Sequence, residues 1–443
     1  MDPLSEIAAV PPVRGWARLE QVCRTAVHSD FIRKVAATYS TQVLVVLLGI
    51  ITSALIARVL GPAGRGEYSV VVAWGMIGMQ FGNLGLHASN IFYVAKDRRL
   101  LAPLAGNSLV VSLIAAMVFG LISCALIWTR PGIVPARGAL LVLAWIWAAV
   151  SLACLLVQNL LMGVHDVVGY NKTELWKRVF SIGLVAAVIA CHWVTPRSVV
   201  IVSLMAIAWG LVYALWRLRK FAMGFPIPSL DLFRKTLGFG AKAYLVAFFA
   251  FLVLRADLLM VNHYLGARQA GYYSIASTLA DYLLLLPAAI AAILFPKLSG
   301  TQDAEHSLLW AKKSTLGSAA ILLPTVAVAA LAVRLVVRIL FGAAYLPAVG
   351  AFLFLTPGIF FLGVETVLVQ YLNSIGIPVS VIVAWVITCI INIAVNVWAI
   401  PRFGISGASA VSSVCYALIF VFVLMIAIHQ VRRLPAANGN LPS

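Results

Sequence analysis

Among the charges inside apolar runs long enough to cross a lipid bilayer, six stand out. Arg255 and Asp257 stand two residues apart in the run 237–264, and Lys242 lies nearer its start. Asp281 falls in the run 273–296, Glu365 in 347–371, and Arg58 near the end of 36–60. A charge at the centre of hydrocarbon costs roughly 2.5–3.5 kcal/mol on insertion scales, so it must pair, snorkel or line water. On a helix Arg255 and Asp257 point in rather different directions, and each is expected to find its partner on another element. Arg255 is then either a cation of a polar central cavity or one half of a structural ion pair. Lys242 snorkels or joins that cavity, and Arg58 is an interfacial anchor or a residue of the cavity mouth. A carboxylate in this setting suits reversible protonation or cation coordination, which makes Asp257, Asp281 and Glu365 candidates for coupling to a proton or sodium gradient. The alternative for each is a structural pair with Arg255 or Lys242.

An uncharged polar layer accompanies them. Most intramembrane amides serve as hydrogen bonds between helices, but Asn83, Asn90, Gln370 and Asn373 are also candidates for a cavity wall. Pro287 and the pair Pro357–Gly358 are hinge candidates, because proline frees a carbonyl and bends its helix. No phosphate loop, zinc motif or nucleophile arrangement occurs, so no catalytic residue, metal site or cofactor is expected. The six cysteines lack CxxC spacing and read as small apolar residues.

The elements that hold these residues follow from composition. The chain is 63% hydrophobic and 10% charged, against about 25% charged in an ordinary soluble domain, and this defines an all-α integral membrane protein. Twelve spans are expected, at 36–60, 69–94, 105–128, 139–163, 175–195, 198–216, 237–264, 273–296, 311–338, 347–371, 377–399 and 406–429. Each approximates the roughly 20 residues that a crossing helix needs. With both termini on the cytoplasmic side, that side carries 21 basic loop residues and the other side 8, as the positive-inside rule requires. Arg178 is counted inside and Arg65 outside. The net charge of +18 is thereby explained without a nucleic-acid partner. The expected organisation is a tail 1–34 with an interfacial helix, a first lobe 35–216, a basic linker 217–235, a second lobe 236–430 and a tail 431–443.

One motif occurs twice. Leu60–Ser69 reads LGPAGRGEYS and Leu265–Ser274 reads LGARQAGYYS, with five identities at an offset of 205 residues. Both copies fall on the same side of the membrane, so the two lobes form a parallel repeat. The short loops leave little chain for an extramembrane catalytic surface, which argues against a membrane glycosyltransferase or polymerase.

ARVLGPAGRGEYS (Ala57 to Ser69) and RADLLMVNHYLGARQAGYYSIA (Arg255 to Ala276) resemble the oligosaccharide flippases of the polysaccharide-biosynthesis transporter group. LFPKLS (Leu294 to Ser299), FGAAYLPA (Phe341 to Ala348), QYLNSIG (Gln370 to Gly376) and PRFGISGASA (Pro401 to Ala410) are similar to its later landmarks. The resemblance spans about residues 31 to 430. It implies two six-helix bundles, as in the multidrug/oligosaccharidyl-lipid/polysaccharide exporter superfamily. It also implies movement of a polyprenyl-diphosphate-linked oligosaccharide between leaflets of a bacterial plasma membrane, through a cationic cavity between the lobes. Arg58 and Asp257 match family motif positions, whereas Lys242 and Arg255 match in character only. Twelve spans, where peptidoglycan lipid flippases have fourteen, favour an O-antigen, exopolysaccharide or capsule unit. Membrane lipids, a polysaccharide polymerase and assembly proteins are the implied partners. A cation-coupled multidrug exporter of the same fold is the alternative, with a membrane enzyme or a non-transporting scaffold behind it.

Overall fold

A computed structural model describes residues 30–129, 132, 134–221, 224–238, 240–300 and 304–433. The interfacial helix expected in the first 34 residues and most of the last tail lie outside them. Regular structure among the described residues is helical throughout. The helices are α1 (Asp30–Asn83), α2 (Leu86–Lys96), α3 (Leu101–Thr129), α4 (Ala139–Gly163), α5 (Val167–Ala190) and α6 (Pro196–Leu218). They continue as α7 (Leu230–Leu237), α8 (Ala241–Leu265), α9 (Ala267–Ser299), α10 (Ala304–Leu340), α11 (Ala348–Ser374) and α12 (Val379–Arg433). Among the described residues nine helices are long and apolar enough to cross a membrane, so the chain is a multi-pass membrane protein.

Two of those helices differ from expectation. Where the sequence places a turn between separate spans, α1 and α12 run on for 54 and 55 residues, each interrupted by one non-helical glycine. Gly61 has φ 66° and ψ 178°, and Gly266, at the matching position between α8 and α9, has φ 80° and ψ 173°. That region of backbone space is open essentially to glycine alone. The repeat is thus a repeat of backbone conformation as well as of residues. Conversely, the expected span 69–94 is broken at Leu84 and Gly85, both at positive φ. The fifth expected span, 175–195, overlaps α5, which ends at Ala190 and is not among the nine apolar helices because Lys172, Glu174, Lys177 and Arg178 interrupt it.

Small residues let these helices approach closely, as membrane helices must without a hydrophobic force between them. On α1, Gly75, Gly78 and Gly82 form a strip against Trp147, against Phe119 with Ala148, and against Ala115 with Leu152. The largest buried cluster joins α8 to α12, with Ala57, Val70 and Ala73 of α1 reaching into it. Smaller clusters hold α1 to α6 together.

The basic linker is structured at its end. Ser229 caps the amphipathic helix α7, its hydroxyl accepting from the Leu232 N–H at 3.4 Å. The Asn107 amide donates to the Ser229 carbonyl at 2.9 Å and accepts from its N–H at 2.8 Å, which pins the linker to α3.

Asp166 performs a comparable task at the start of α5. It accepts from the Gly169 N–H at 3.0 Å and from both sides of the Arg217 fork at 2.6 and 3.2 Å. Burial raises its pKa, but the Arg217 hydrogen bond, the Gly169 N–H and the guanidinium charge together hold it below the usual carboxylate range. A depressed carboxylate contributes stability above its unfolded pKa of about 3.9, and loses it as pH falls through the lower folded value. Asp166→Asn is therefore expected to lower thermal stability at pH 7 by about 1 kcal/mol and to match the parent at a pH below both values. Detergent-solubilised unfolding at the two pH values checks this.

Candidate functional site

A cavity of about 230 Å³ lies where α1, α5, α8 and α9 meet. Its charged walls are Arg65, Arg178, Arg255 and Asp281, joined by hydroxyls of Thr52, Ser53, Tyr68, Ser69, Ser274 and Tyr282. Arg255 Nη2 donates to Asp281 Oδ2 at 2.7 Å, both side chains remaining partly open to the cavity. Arg255 is thus a cavity residue and half of an ion pair at once.

Arg65 sits differently. It is 6% exposed, its Nη2 donates to Ser53 Oγ at 3.1 Å, and its guanidinium lies 5.4 Å from the Tyr68 ring centroid. Its Nε has no partner among the described residues. Arg178 approaches Gly49 from α5 beside the Tyr282 hydroxyl, and a side chain at Gly49 would fill that space. Among the described residues neither Arg65 nor Arg178 pairs with a carboxylate. The wall carries three guanidiniums and one carboxylate, a charge balance that can accommodate an anion, and bidentate hydrogen bonding favours phosphate or carboxylate oxygens.

The sequence counted Arg65 and Arg178 as loop residues on opposite sides of the membrane. The helix continuing through 62–83 brings Arg65 back into the protein, and α5 begins eight residues before the expected span. Arg178 already lay inside the expected span 175–195, a signal of its depth that the count of basic loop residues passed over.

Other candidates lie away from the cavity. Arg58 reaches across to α10, Nε donating to the Leu340 carbonyl at 2.9 Å and Nη2 to that of Ile339. Lys242 is exposed in the first turn of α8. Asn90 donates to Ser108 Oγ at 2.9 Å and to the Leu156 carbonyl at 3.2 Å, tying α2 to α3 and α4. Asn83 pairs with the His87 ring at 3.0 Å, while Gln370 bonds the Thr366 carbonyl and Asn373 bonds Gln370. These amides satisfy helix termini and neighbouring helices, so the cavity wall does not draw on them.

The carboxylates separate into three environments. Asp281 faces the cavity. Asp257 is fully enclosed, its Oδ2 accepting from the Tyr273 hydroxyl and from Ser412 Oγ at 2.9 Å, and its Oδ1 from the Leu258 N–H at 2.7 Å. Glu365 is buried on α11, with Oε1 lacking a partner among the described residues. A small void lined by Asp281, Tyr273 and Tyr416 shares Ser277 and Asp281 with the cavity wall.

At the hinge candidates the helices stay continuous. Pro287 packs beside Gly363, linking α9 to α11. At Pro357–Gly358 the Ser413 hydroxyl is inserted into the α11 ladder, accepting from the Gly358 N–H at 3.1 Å and donating to the Phe354 carbonyl at 2.5 Å. A side chain inserted into the i→i−4 ladder is one of the recognised causes of a helix bend.

Three comparisons bear on this architecture. Residues 31–302, more than half of the chain, match the family model described as polysaccharide biosynthesis protein. An uncharacterized membrane protein of Methanocaldococcus jannaschii, MJ1068, is 26% identical over 223 residues, 49% of this chain and 44% of that protein. The match therefore spans under half the length of that relative. Among solved structures, a multidrug resistance MATE family transporter of the MOP superfamily, inward-facing, aligns with TM-score 0.69 and 14% identity over 88% of this chain and 96% of its own. The lipid II flippase MurJ in an inward closed conformation aligns with TM-score 0.69 and 12% identity over 89% and 87%. At such identities these two alignments establish a shared fold.

Proposed function

The chain belongs to the polysaccharide biosynthesis protein family, and from that premise we propose that it flips a polyprenyl-diphosphate-linked oligosaccharide across a bacterial plasma membrane. The proposed fold has twelve spans in two lobes with both termini cytoplasmic: α1 and α12 each contribute two spans and α5 one. The protein is a transporter and no enzyme, moving an O-antigen, exopolysaccharide or capsule unit from inner to outer leaflet by alternating access.

One observation carries this reading: the cavity between the halves presents Arg65, Arg178 and Arg255 against the single carboxylate Asp281. A diphosphate and its sugars cannot cross hydrocarbon unaided at a useful rate, because every polar group would be desolvated. Guanidinium forks bind the diphosphate, the hydroxyls meet the sugars, and the prenyl tail stays in lipid. A multidrug exporter of organic cations would need the opposite charge balance in the same place. Asp281 is the coupling site in this scheme, since it alone of the three carboxylates both faces the cavity and holds a cation. Protonation or sodium binding at Asp281 releases Arg255 to the substrate.

Reconstitution tests the proposal. Liposomes containing the protein should move polyprenyl-diphosphate oligosaccharides between leaflets, faster with an imposed proton or sodium gradient. Export of small organic cations without movement of any lipid-linked glycan would transfer the protein to the drug exporters. Movement indifferent to both gradients would remove the coupling step.

A further inference from the structure

The two copies of the repeated turn meet each other. Gly66 lies so near the Ala267 carbonyl that a methyl group there would overlap it, and Gly271 stands in the same relation to the Pro62 carbonyl. Adding the offset of 205 residues to Pro62 and Gly66 gives Ala267 and Gly271, so each contact is the image of the other. Such reciprocity is the mark of an isologous interface, here within one chain.

Two further bonds flank this seam. The Arg58 guanidinium caps the carboxyl end of α10 through the Leu340 and Ile339 carbonyls, where a helix leaves carbonyls unsatisfied and favours a cation. The Tyr345 hydroxyl donates to the Ala57 carbonyl at 2.7 Å. All these contacts join residues 57–66 to residues 267–345 and lie at the far end of α8, whose 25 residues carry the chain about 37 Å from the linker. Arg65, with its unpartnered and buried Nε, adjoins Gly66 and faces the cavity beneath.

We propose that this seam is the outer seal of the substrate path, latched by Arg58 and tied to cavity occupancy through Arg65. The proposal rests on the flippase reading for its cargo and on the proposed orientation for its outer side, while the seam itself rests on the contacts above. Glycine against a carbonyl makes only weak C–H···O contacts, and Arg58 exchanges two carbonyls for water or headgroup when it lets go. Contacts of this kind part and re-form at little cost in hydrogen bonds, and the apolar cost of opening falls on Ala57, Val70 and Ala73, which pack into the cluster of α8 to α12. Because Arg65 and Gly66 are consecutive in one helix, a backbone shift that carries Arg65 toward a cavity anion also shifts Gly66 against the Ala267 carbonyl. Arg58 is a positioning residue in this account and does not touch the cargo.

Labelling tests the seal without reference to the cargo. Ser69→Cys, in the cavity wall, is exposed to a membrane-impermeant maleimide added outside spheroplasts carrying the full chain, and peptide mass spectrometry reads modification at that site alone. Labelling should be low with the seam intact and rise at least tenfold in Gly66→Val and in Arg58→Gln. The Arg58 variant alters a side chain at an exposed contact, so it reports even if Gly66→Val does not fold. In proteoliposomes, an undecaprenyl-diphosphate disaccharide supplied in the leaflet opposite the maleimide should also raise labelling in the parent, and Arg65→Gln should abolish that response. Unchanged outside labelling in a folded Arg58→Gln variant overturns the seal, and a glycan response that survives Arg65→Gln overturns the tie to occupancy. A protein that flips no glycan yet shows the tenfold rise keeps its seal and loses only its proposed cargo.

Discussion

Arg255→Ala is expected to slow movement of a polyprenyl-diphosphate glycan by roughly 10- to 100-fold while the protein still folds. The two effects separate because of where the pair sits. Arg255 and Asp281 retain 24% and 37% side-chain exposure, so the Asp281 left behind finds cavity water and the folding cost stays below the roughly 3–5 kcal/mol of breaking a fully buried pair. A diphosphate in the cavity has no such substitute, and losing a hydrogen bond to a charged group costs about 1.5–3 kcal/mol. Arg255→Lys should fall between, keeping the charge but losing the planar fork. Asp281→Asn should do the reverse of Arg255→Ala, freeing the guanidinium, tightening glycan binding and weakening dependence on an ion gradient. Leaflet movement and thermal unfolding measured on the same preparations decide the matter. Loss of folding in parallel with loss of transport would make Arg255 a structural half-pair and nothing more.

Asp257→Ala should act on stability first, lowering it by about 2–4 kcal/mol. The Tyr273 hydroxyl is completely enclosed and would lose its acceptor, at about 1–3 kcal/mol for each unsatisfied buried group. Ser412 loses the same acceptor but can turn to a carbonyl of its own helix, which keeps the total in the lower part of that range. Asp257→Asn retains an acceptor oxygen and should cost about half as much. Unfolding midpoints in detergent, ordered parent, Asn, Ala, are the expected result; an Ala variant as stable as the parent would mean that the cluster joining α8, α9 and α12 carries no structural weight.

Much of this is legible in the sequence. Apolar run length announces a multi-pass helical protein, and the repeated glycine turn marks where the halves correspond. Depth in an apolar run was enough to single out Arg255, Asp257, Asp281 and Glu365. Their partners were beyond reach, because pairing across helices depends on rotation about each helix axis, and a few tens of degrees decide whether a side chain meets a cavity or a neighbour. Arg58 illustrates this: its position near a span end is visible, but its acceptors lie 281 and 282 residues away. Arg65 was obscured for a different reason. A glycine-bounded polar stretch reads as a loop, whereas here a single non-helical residue suffices and helix resumes at once, turning a supposed loop arginine inward.

The shared backbone of Gly61 and Gly266 bears on how such a chain can drift over generations. At each of these codons only glycine fits the observed φ and ψ, and the reciprocal contacts four residues after Pro62 and Ala267 require the same spacing on both sides. Side chains elsewhere in the halves are free to diverge until little recognisable identity is left. Insertions and deletions within these two turns are not, because a change of length on one side alone would put each carbonyl opposite the wrong residue. A matched length on both sides is therefore what the seam requires, whatever residues surround it.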